Sequence, residues 1–162
     1  MESDRIQYRV NGAAEDEIYR HLKECNRLYF PHLDRRVDVR EYSKKIYERA
    51  VRFEAWAGDA LVGLVGAYFN DPGCGQGYIT DVSVESAWTR KGIASRLIRM
   101  CIDYAESECY GAVALEVDAG NAGAIGLYKR HGFKEVAMKG ECLVMKKCLS
   151  EMMGPPARGG LL

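Results

Sequence analysis

A chain of 162 residues has room for one domain with one core. Lys plus Arg and Asp plus Glu both number 23, so the formal charge gives no reason to expect nucleic acid or an anionic membrane as partner. Hydrophobic residues at 48% and charged residues at 28% fit a globular protein, and the longest apolar run, residues 60–69, is too short to cross a bilayer.

The opening residues Met1-Glu2-Ser3-Asp4-Arg5 are charged, with no apolar stretch behind them, and do not read as a signal peptide. Residues 6–10 alternate and predict a first strand. Asn11 is placed to cap the helix that follows. From Ala13, apolar residues recur at Ile18, Leu22, Cys25 and Tyr29, with Glu15, Asp16 and Glu17 in the first turn, which predicts an amphipathic helix ended by Pro31. Tyr29-Phe30-Pro31-His32-Leu33 is an apolar loop, and residues 39–50 form a second helix with Tyr42, Ile46 and Ala50 on one face. Residues 51–57 and 60–69 read as a hairpin about Gly58-Asp59, the returning strand apolar enough to be central. A turn-rich loop over 70–77 leads to a strand over 78–84.

The clearest helix spans about 92–109, with Ile93, Leu97, Cys101 and Ala105 along one row. A short apolar strand covers 112–117. Asn121 then caps a helix carrying Ala124, Leu127 and Tyr128, with Gly132 at its end. Gly123 and Gly126 weaken that helix, so close backbone approach is expected there. Two strands, 133–138 and 142–147, follow, and residues 150–162, with Gly-Pro-Pro and Gly-Gly, read as a loose tail. The six cysteines form no Cys-x-x-Cys pair; Cys25, Cys101 and Cys109 fall on apolar helix faces, and the set reads as reduced thiols in a cytoplasmic protein.

Two stretches are candidates for holding phosphate. Gly73-Cys74-Gly75-Gln76-Gly77 is followed by a strand, not by the helix that a dinucleotide or phosphate-loop motif needs, and reads as a hairpin loop. Arg90-Lys91-Gly92-Ile93-Ala94-Ser95 has a strand before it and a helix after it. The amide N–H groups of a first helical turn, reinforced by the helix dipole, make an anion site there. The bland alternative is a βα loop with surface cations.

The second stretch gains meaning beside Asn121-Ala-Gly-Ala124-Ile-Gly-Leu127-Tyr128-Lys-Arg-His-Gly132-Phe133. Together they resemble the GCN5-related N-acetyltransferases. That family's phosphate loop, Arg/Gln-x-x-Gly-x-Gly/Ala, is matched here by Gly92 and Ala94, with Thr89 where the family usually has Arg or Gln. The Asn-x-x-Ala-x-x-Leu-Tyr-x-x-x-Gly-Phe motif is matched at every named position.

The resemblance covers roughly residues 51–147. It implies a single α/β domain over 1–149, with a mixed, mostly antiparallel twisted sheet of about six to seven strands, helices on both faces and a splayed central pair. It also implies acetyl-CoA as acyl donor and no metal. The backbone of Lys91, Gly92, Ile93, Ala94 and Ser95 would hold the pyrophosphate, with Arg90 or Lys91 in the place of the missing polar side chain. Val82, Ser83 and Val84 would receive the pantetheine arm as an added strand. The Val82 N–H would polarise the thioester carbonyl. Asn121 would bond the pantetheine, and Tyr128 would protonate the departing thiolate.

For the base, Asp81 leads, against the alternative of a strand-end carboxylate paired with a cation; Glu54, Glu116 and Tyr78 are weaker candidates, and His32 lies in the loop where the family admits the acceptor. The histidines at 21, 32 and 131 show no metal-ligand spacing. The expected acceptor is a small-molecule amine (an amino sugar, an amino acid or a polyamine), with a protein N-terminus or lysine as the alternative. A homodimer is compatible with this reading. The rival classes are a non-catalytic acyl-CoA-binding module and a nucleotide-binding regulator.

Overall fold

The computed structural model describes residues 5–29, 31–70 and 75–149. Cys74, Phe30 and the expected tail from residue 150 onward lie outside them. Seven strands, β1 (Ile6–Val10), β2 (Val51–Ala57), β3 (Ala60–Tyr68), β4 (Gln76–Val84), β5 (Ala112–Asp118), β6 (Lys134–Lys139) and β7 (Cys142–Cys148), make one mixed sheet in the order β1-β2-β3-β4-β5-β7-β6. Four α-helices join them: α1 (Glu15–Cys25), α2 (Val39–Arg49), α3 (Ile93–Ser107) and α4 (Ala122–Arg130). The residues divide into two compact units, one of residues up to 68 with 80–100, the other of 69–79 with those from 101 on. Strand β4 and helix α3 each contribute residues to both.

In the first unit, β3 is a near-continuous apolar strand, as burial on both faces requires, and β2 is buried along most of its length although it carries Arg52 and Glu54. They pair antiparallel from Val51–Ala67 to Ala57–Ala60, with a bulge between Ala55 and Trp56, and β1 pairs antiparallel with β2. Helix α1 buries Ile18, His21, Leu22 and Cys25, the spacing of one helical face. Ile18 and Leu22, with Ile46 of α2, join Leu64 in the core. The apolar periodicity therefore gave the right face, but a histidine sits in the middle of it.

Two details of α1 differ from expectation. The helix starts after Ala14, where Glu17 folds back to accept from the Ala14 N–H at 2.8 Å. Asn11 is not its cap. It adopts φ 58°, and its Oδ1 accepts from the Arg52 N–H at 2.8 Å, prolonging the contact with β2 instead. The helix also stops at Cys25 rather than running to Pro31; a 3-10 turn over Asn26–Leu28 follows, and Tyr29 is extended. Helix α2 is capped by Asp38, whose side chain accepts from Glu41 N at 3.0 Å.

Glu54, a weaker base candidate, belongs to the framework. It is fully buried. Its carboxylate accepts from the N–H groups of Gly12 and Ala13 at 2.9 Å each, from Trp56 Nε1 at 3.0 Å and from Arg52 Nε at 3.3 Å. Every lone-pair direction is committed, so it has no capacity left for chemistry.

In the second unit, β4 and β5 pair parallel from Gln76–Ala112 to Ile79–Leu115, and β5, β7 and β6 pair antiparallel. The parallel ladder stops at Ile79, while β4 continues to Val84. Helix α3 ends at Ser107, two residues short of the expected Cys109, which is exposed at φ 64°. The close approach expected at Gly123 and Gly126 is absent: a Cβ at Gly123 would meet nothing within 4 Å, and at Gly126 only the Arg130 guanidinium at 3.7 Å.

Candidate active site

The second half of β4 alternates, but with the polar side chains turned inward. Ile79, Asp81 and Ser83 are buried, while Thr80, Val82 and Val84 are half-buried. An ordinary amphipathic strand would bury the valines. Asp81 and Ser83 are tolerated because their partners come from elements packed on that face. Tyr29, just after the 3-10 turn, donates its hydroxyl to Asp81 Oδ1 at 2.5 Å, and Ser83 Oγ donates to Asp81 Oδ2 at 2.8 Å. His21 Nε2 lies 2.9 Å from Ser83 Oγ. Tyr42 of α2 donates to Thr80 O at 2.7 Å.

Burial pushes the Asp81 carboxyl above the usual aspartate range, although the hydrogen bonds from Tyr29 and Ser83 and the charges of His21 and Arg36 pull the other way. Burial, followed by the neighbouring Asp81 charge, holds the Tyr29 and Tyr42 phenols well above their ordinary value, so neither ionises.

Beyond Val84, Glu85 N donates to Val62 O at 2.9 Å, fastening the end of β4 to β3. A 3-10 turn over Ser86–Trp88 follows, and Thr89 closes it by donating Oγ1 to Ser86 O at 2.9 Å. Arg90 at φ 64° and Gly92 at φ 81° then reverse the chain into α3. That conformation favours glycine at 92 for backbone reasons alone, because a Cβ there would meet nothing within 4 Å. Arg96 N→Gly92 O, at 3.0 Å, is the first bond of the helix ladder, so the N–H groups of Ile93 and Ala94 precede it.

The start of α3 is set tightly on β3. A Cβ at Gly63 would lie 2.8 Å from Ile93 Cγ2, so only glycine admits the helix this close. Arg90 and Lys91 are exposed beside it. Leu28, Tyr29, Val82, Ser83, Val84, Thr89 and Ala94 line a groove of about 270 Å³.

The structure thus brings Asp81, Val82, Ser83, Val84 and Ala94 together, with Gly92 and Ile93 at the same helix start. The Ser83 hydroxyl is committed inward, so only its backbone is offered to a ligand. Asn121 caps α4, its Oδ1 accepting from Ala124 N at 3.2 Å, and Tyr128 is buried against the edge of Phe133 with centroids 6.0 Å apart; both belong to the second unit, and their expected roles stand on the sequence motif. Glu116 is engaged with Lys139 at 3.2 Å. Tyr78 and His32 are half-buried. No group of three or more His, Cys, Asp or Glu poised for a metal occurs among the described residues. His21 was not singled out as a site residue from the sequence, although a histidine at i+3 from Ile18 on an otherwise apolar helix face was the available signal; Tyr29 entered only as part of the 29–33 loop expected to shape the acceptor pocket.

A model of the acetyltransferase (GNAT) family matches residues 15–133. The chain belongs to that family. It is 39% identical over 62 residues to GCN5-related N-acetyltransferase 4, chloroplastic, of Arabidopsis thaliana, a match covering 38% of this chain and 21% of the relative. It is 36% identical over 58 residues to N-alpha-acetyltransferase 30 of Saccharomyces cerevisiae, covering 36% of this chain and 33% of that one. The matches thus span only about a fifth and a third of these curated relatives. Among solved structures, Arabidopsis thaliana NAA60 in complex with acetyl-CoA superimposes with a TM-score of 0.71 at 23% identity, over 90% of this chain and 100% of that one, which shows a shared fold.

Proposed function

We propose that this GNAT-family chain transfers an acetyl group from acetyl-CoA to a primary amine by direct attack within a ternary complex. The observation that carries the reading is the groove along Val82, Ser83 and Val84, which ends at Ala94 in the first turn of α3. A pantetheine arm laid along β4 meets strand backbone beyond the last β4–β5 pair, at Ile79. A pyrophosphate at the groove's end meets the amide N–H groups and the positive dipole end of α3, over a Gly92 with open space above it.

The acceptor nitrogen attacks the thioester carbonyl carbon, the C–N bond forms, the C–S bond breaks, and the thiolate takes up a proton. An aliphatic amine has a pKa of about 10 and a protein α-amine one of about 8, so either arrives mostly protonated near neutral pH and must lose that proton first. Asp81 is the base, a reading supported by its hydrogen bond from Tyr29 and by burial, which raises its carboxyl above the ordinary aspartate range. It reaches the groove through Tyr29, whose hydroxyl it holds. The expected small-molecule amine competes as acceptor with the α-amine of a protein N-terminus, and the likeness to a protein named N-alpha-acetyltransferase 30 favours the latter.

The test is thiol release from acetyl-CoA with two panels, peptides differing in their first residue and small amines. Release with peptides bearing a free N-terminus, and not with N-terminally blocked ones, is expected. CoA binding without release from any acceptor would make the chain an acyl-CoA-binding module instead.

A further inference from the structure

Asp81 is the middle of a chain of side chains drawn from separate elements. Beyond Tyr29 and Ser83, His21 Nδ1 of α1 lies 3.2 Å from Leu61 O of β3 and 3.8 Å from Glu85 Oε2, and His21 is 1% exposed. The hydrogens can be counted. A carbonyl oxygen only accepts, so Nδ1 carries a hydrogen. The contacts of Ser83 Oγ with His21 Nε2 and with Asp81 Oδ2 then need two hydrogens, and a serine supplies one. The second comes from a proton held either on Nε2, opposite an Asp81 carboxylate, or on Asp81 Oδ2. Without it, one of two buried contacts faces lone pair to lone pair.

We propose that Ser83 bridges His21 and Asp81 into a unit sharing one proton, and that His21 is a positioning residue keeping Asp81 as the carboxylate that receives the acceptor amine's proton through Tyr29. This rests on the acetyl-transfer reading. With the shared proton on His21, every bond runs one way: Nδ1–H to Leu61 O, Nε2–H to Ser83, Ser83 to Asp81 Oδ2, Tyr29 to Asp81 Oδ1. The amine then gives its proton to the Tyr29 oxygen as Tyr29's own hydrogen moves to Asp81 Oδ1. The carboxylate becomes a neutral acid, the phenol stays a phenol, and the Ser83 bond to Oδ2 is undisturbed. The other groups bearing on Asp81 are Arg36, Tyr42 of α2 and Tyr68 of β3; Cys25 Sγ lies 3.7 Å from His21 Nε2, and Glu24 and Glu85 complete the surroundings.

The experiment uses the full chain with His21→Gln, which fills the site without carrying a proton, and with Ser83→Ala and Ser83→Thr. With the acceptor found active above, His21→Gln and Ser83→Ala should lose about 10²-fold in kcat/KM near neutral pH. Their acid limb should move to higher pH while CoA affinity stays close to wild type, and the thermal midpoint falls by a few degrees because buried partners lose their hydrogen bonds. Ser83→Thr, which keeps the hydroxyl, should restore the wild-type profile.

By NMR, the His21 imidazole ¹⁵N and Asp81 carboxyl ¹³C signals should move through common pH midpoints in the wild type and through separate ones in Ser83→Ala. A pH profile that keeps its shape in His21→Gln, or independent midpoints in the wild type, overturns the proposal. Absence of acetyl transfer to any acceptor defeats the acetyl-transfer reading instead, and the NMR midpoints then decide the proton sharing by themselves.

Discussion

Gly92 separates two properties of the loop before α3, and a pair of substitutions measures each. At φ 81° with nothing within 4 Å of a would-be Cβ, alanine meets no clash, only the backbone penalty of a left-handed L-residue, about 1–2 kcal/mol. In a domain of this size that lowers Tm by roughly 3–6 °C. Glutamate carries the same backbone penalty and adds a negative charge near the N–H groups of Ile93 and Ala94. At about 5 Å and an effective dielectric constant of about 20, its repulsion of one phosphate charge is about 3 kcal/mol. That corresponds to about 10²-fold in affinity beyond whatever Gly92→Ala loses.

The assay is calorimetric CoA binding to wild type, Gly92→Ala and Gly92→Glu at low and high salt, with pantetheine as the ligand lacking pyrophosphate. The glutamate–alanine difference should appear for CoA, shrink in high salt and vanish for pantetheine. Equal CoA affinity in Gly92→Glu and Gly92→Ala would remove the pyrophosphate from the start of α3.

Glu54→Ala should lower the unfolding free energy by about 4 kcal/mol in urea titrations, because it strands the buried Arg52 and two backbone N–H groups; a loss under about 1 kcal/mol would mean that the cluster is not a framework. Asp81 holds its proton more tightly folded than unfolded, so its contribution to stability is complete below the ordinary aspartate value and is lost as pH rises through the raised folded one. The stability of Asp81→Asn relative to wild type should therefore rise with pH across that acid window, and a flat difference in chemical denaturation would contradict the raised value. Burial pushes the Cys101 thiol up to about 12 and Cys25 higher still, whereas Cys109 and Cys148 are exposed. Peptide mapping after brief alkylation should find Cys109 and Cys148 modified, and Cys25 and Cys101 only after unfolding; early labelling of Cys101 would mean that α3 opens readily.

What could be read in the sequence was what is encoded locally. The Arg90–Ala94 loop is recognisable because a strand end, a glycine and a helix start follow one another within a few residues. The Asn121 cap is recognisable because its bond to Ala124 closes over three residues. Asn11 looked the same locally, yet its side chain bonds to Arg52, 41 residues on, and that contact prevailed. The inward turn of Asp81 and Ser83 is invisible to alternation alone, which would bury Val82 and Val84. It depends on Tyr29, 52 positions from Asp81, and on His21, 62 positions from Ser83. The hidden half of the site is therefore the half made of long-range polar pairs, while the donor half follows the chain.

The outermost strand, β6, has a bearing on how copies of the chain meet. All six of its residues are exposed, including Val136 at 55% and Met138 at 58%, and among the described residues its far edge has no strand partner. Such an edge invites a neighbour to add a strand. Here a register shift between Glu135 and Ala137 breaks the regular row of backbone groups, and Lys134 and Lys139 stand at the two ends. In an antiparallel pairing of two copies centred on this strand, lysines would face lysines across the junction. Extension of the sheet at this edge is thus discouraged from within the strand itself.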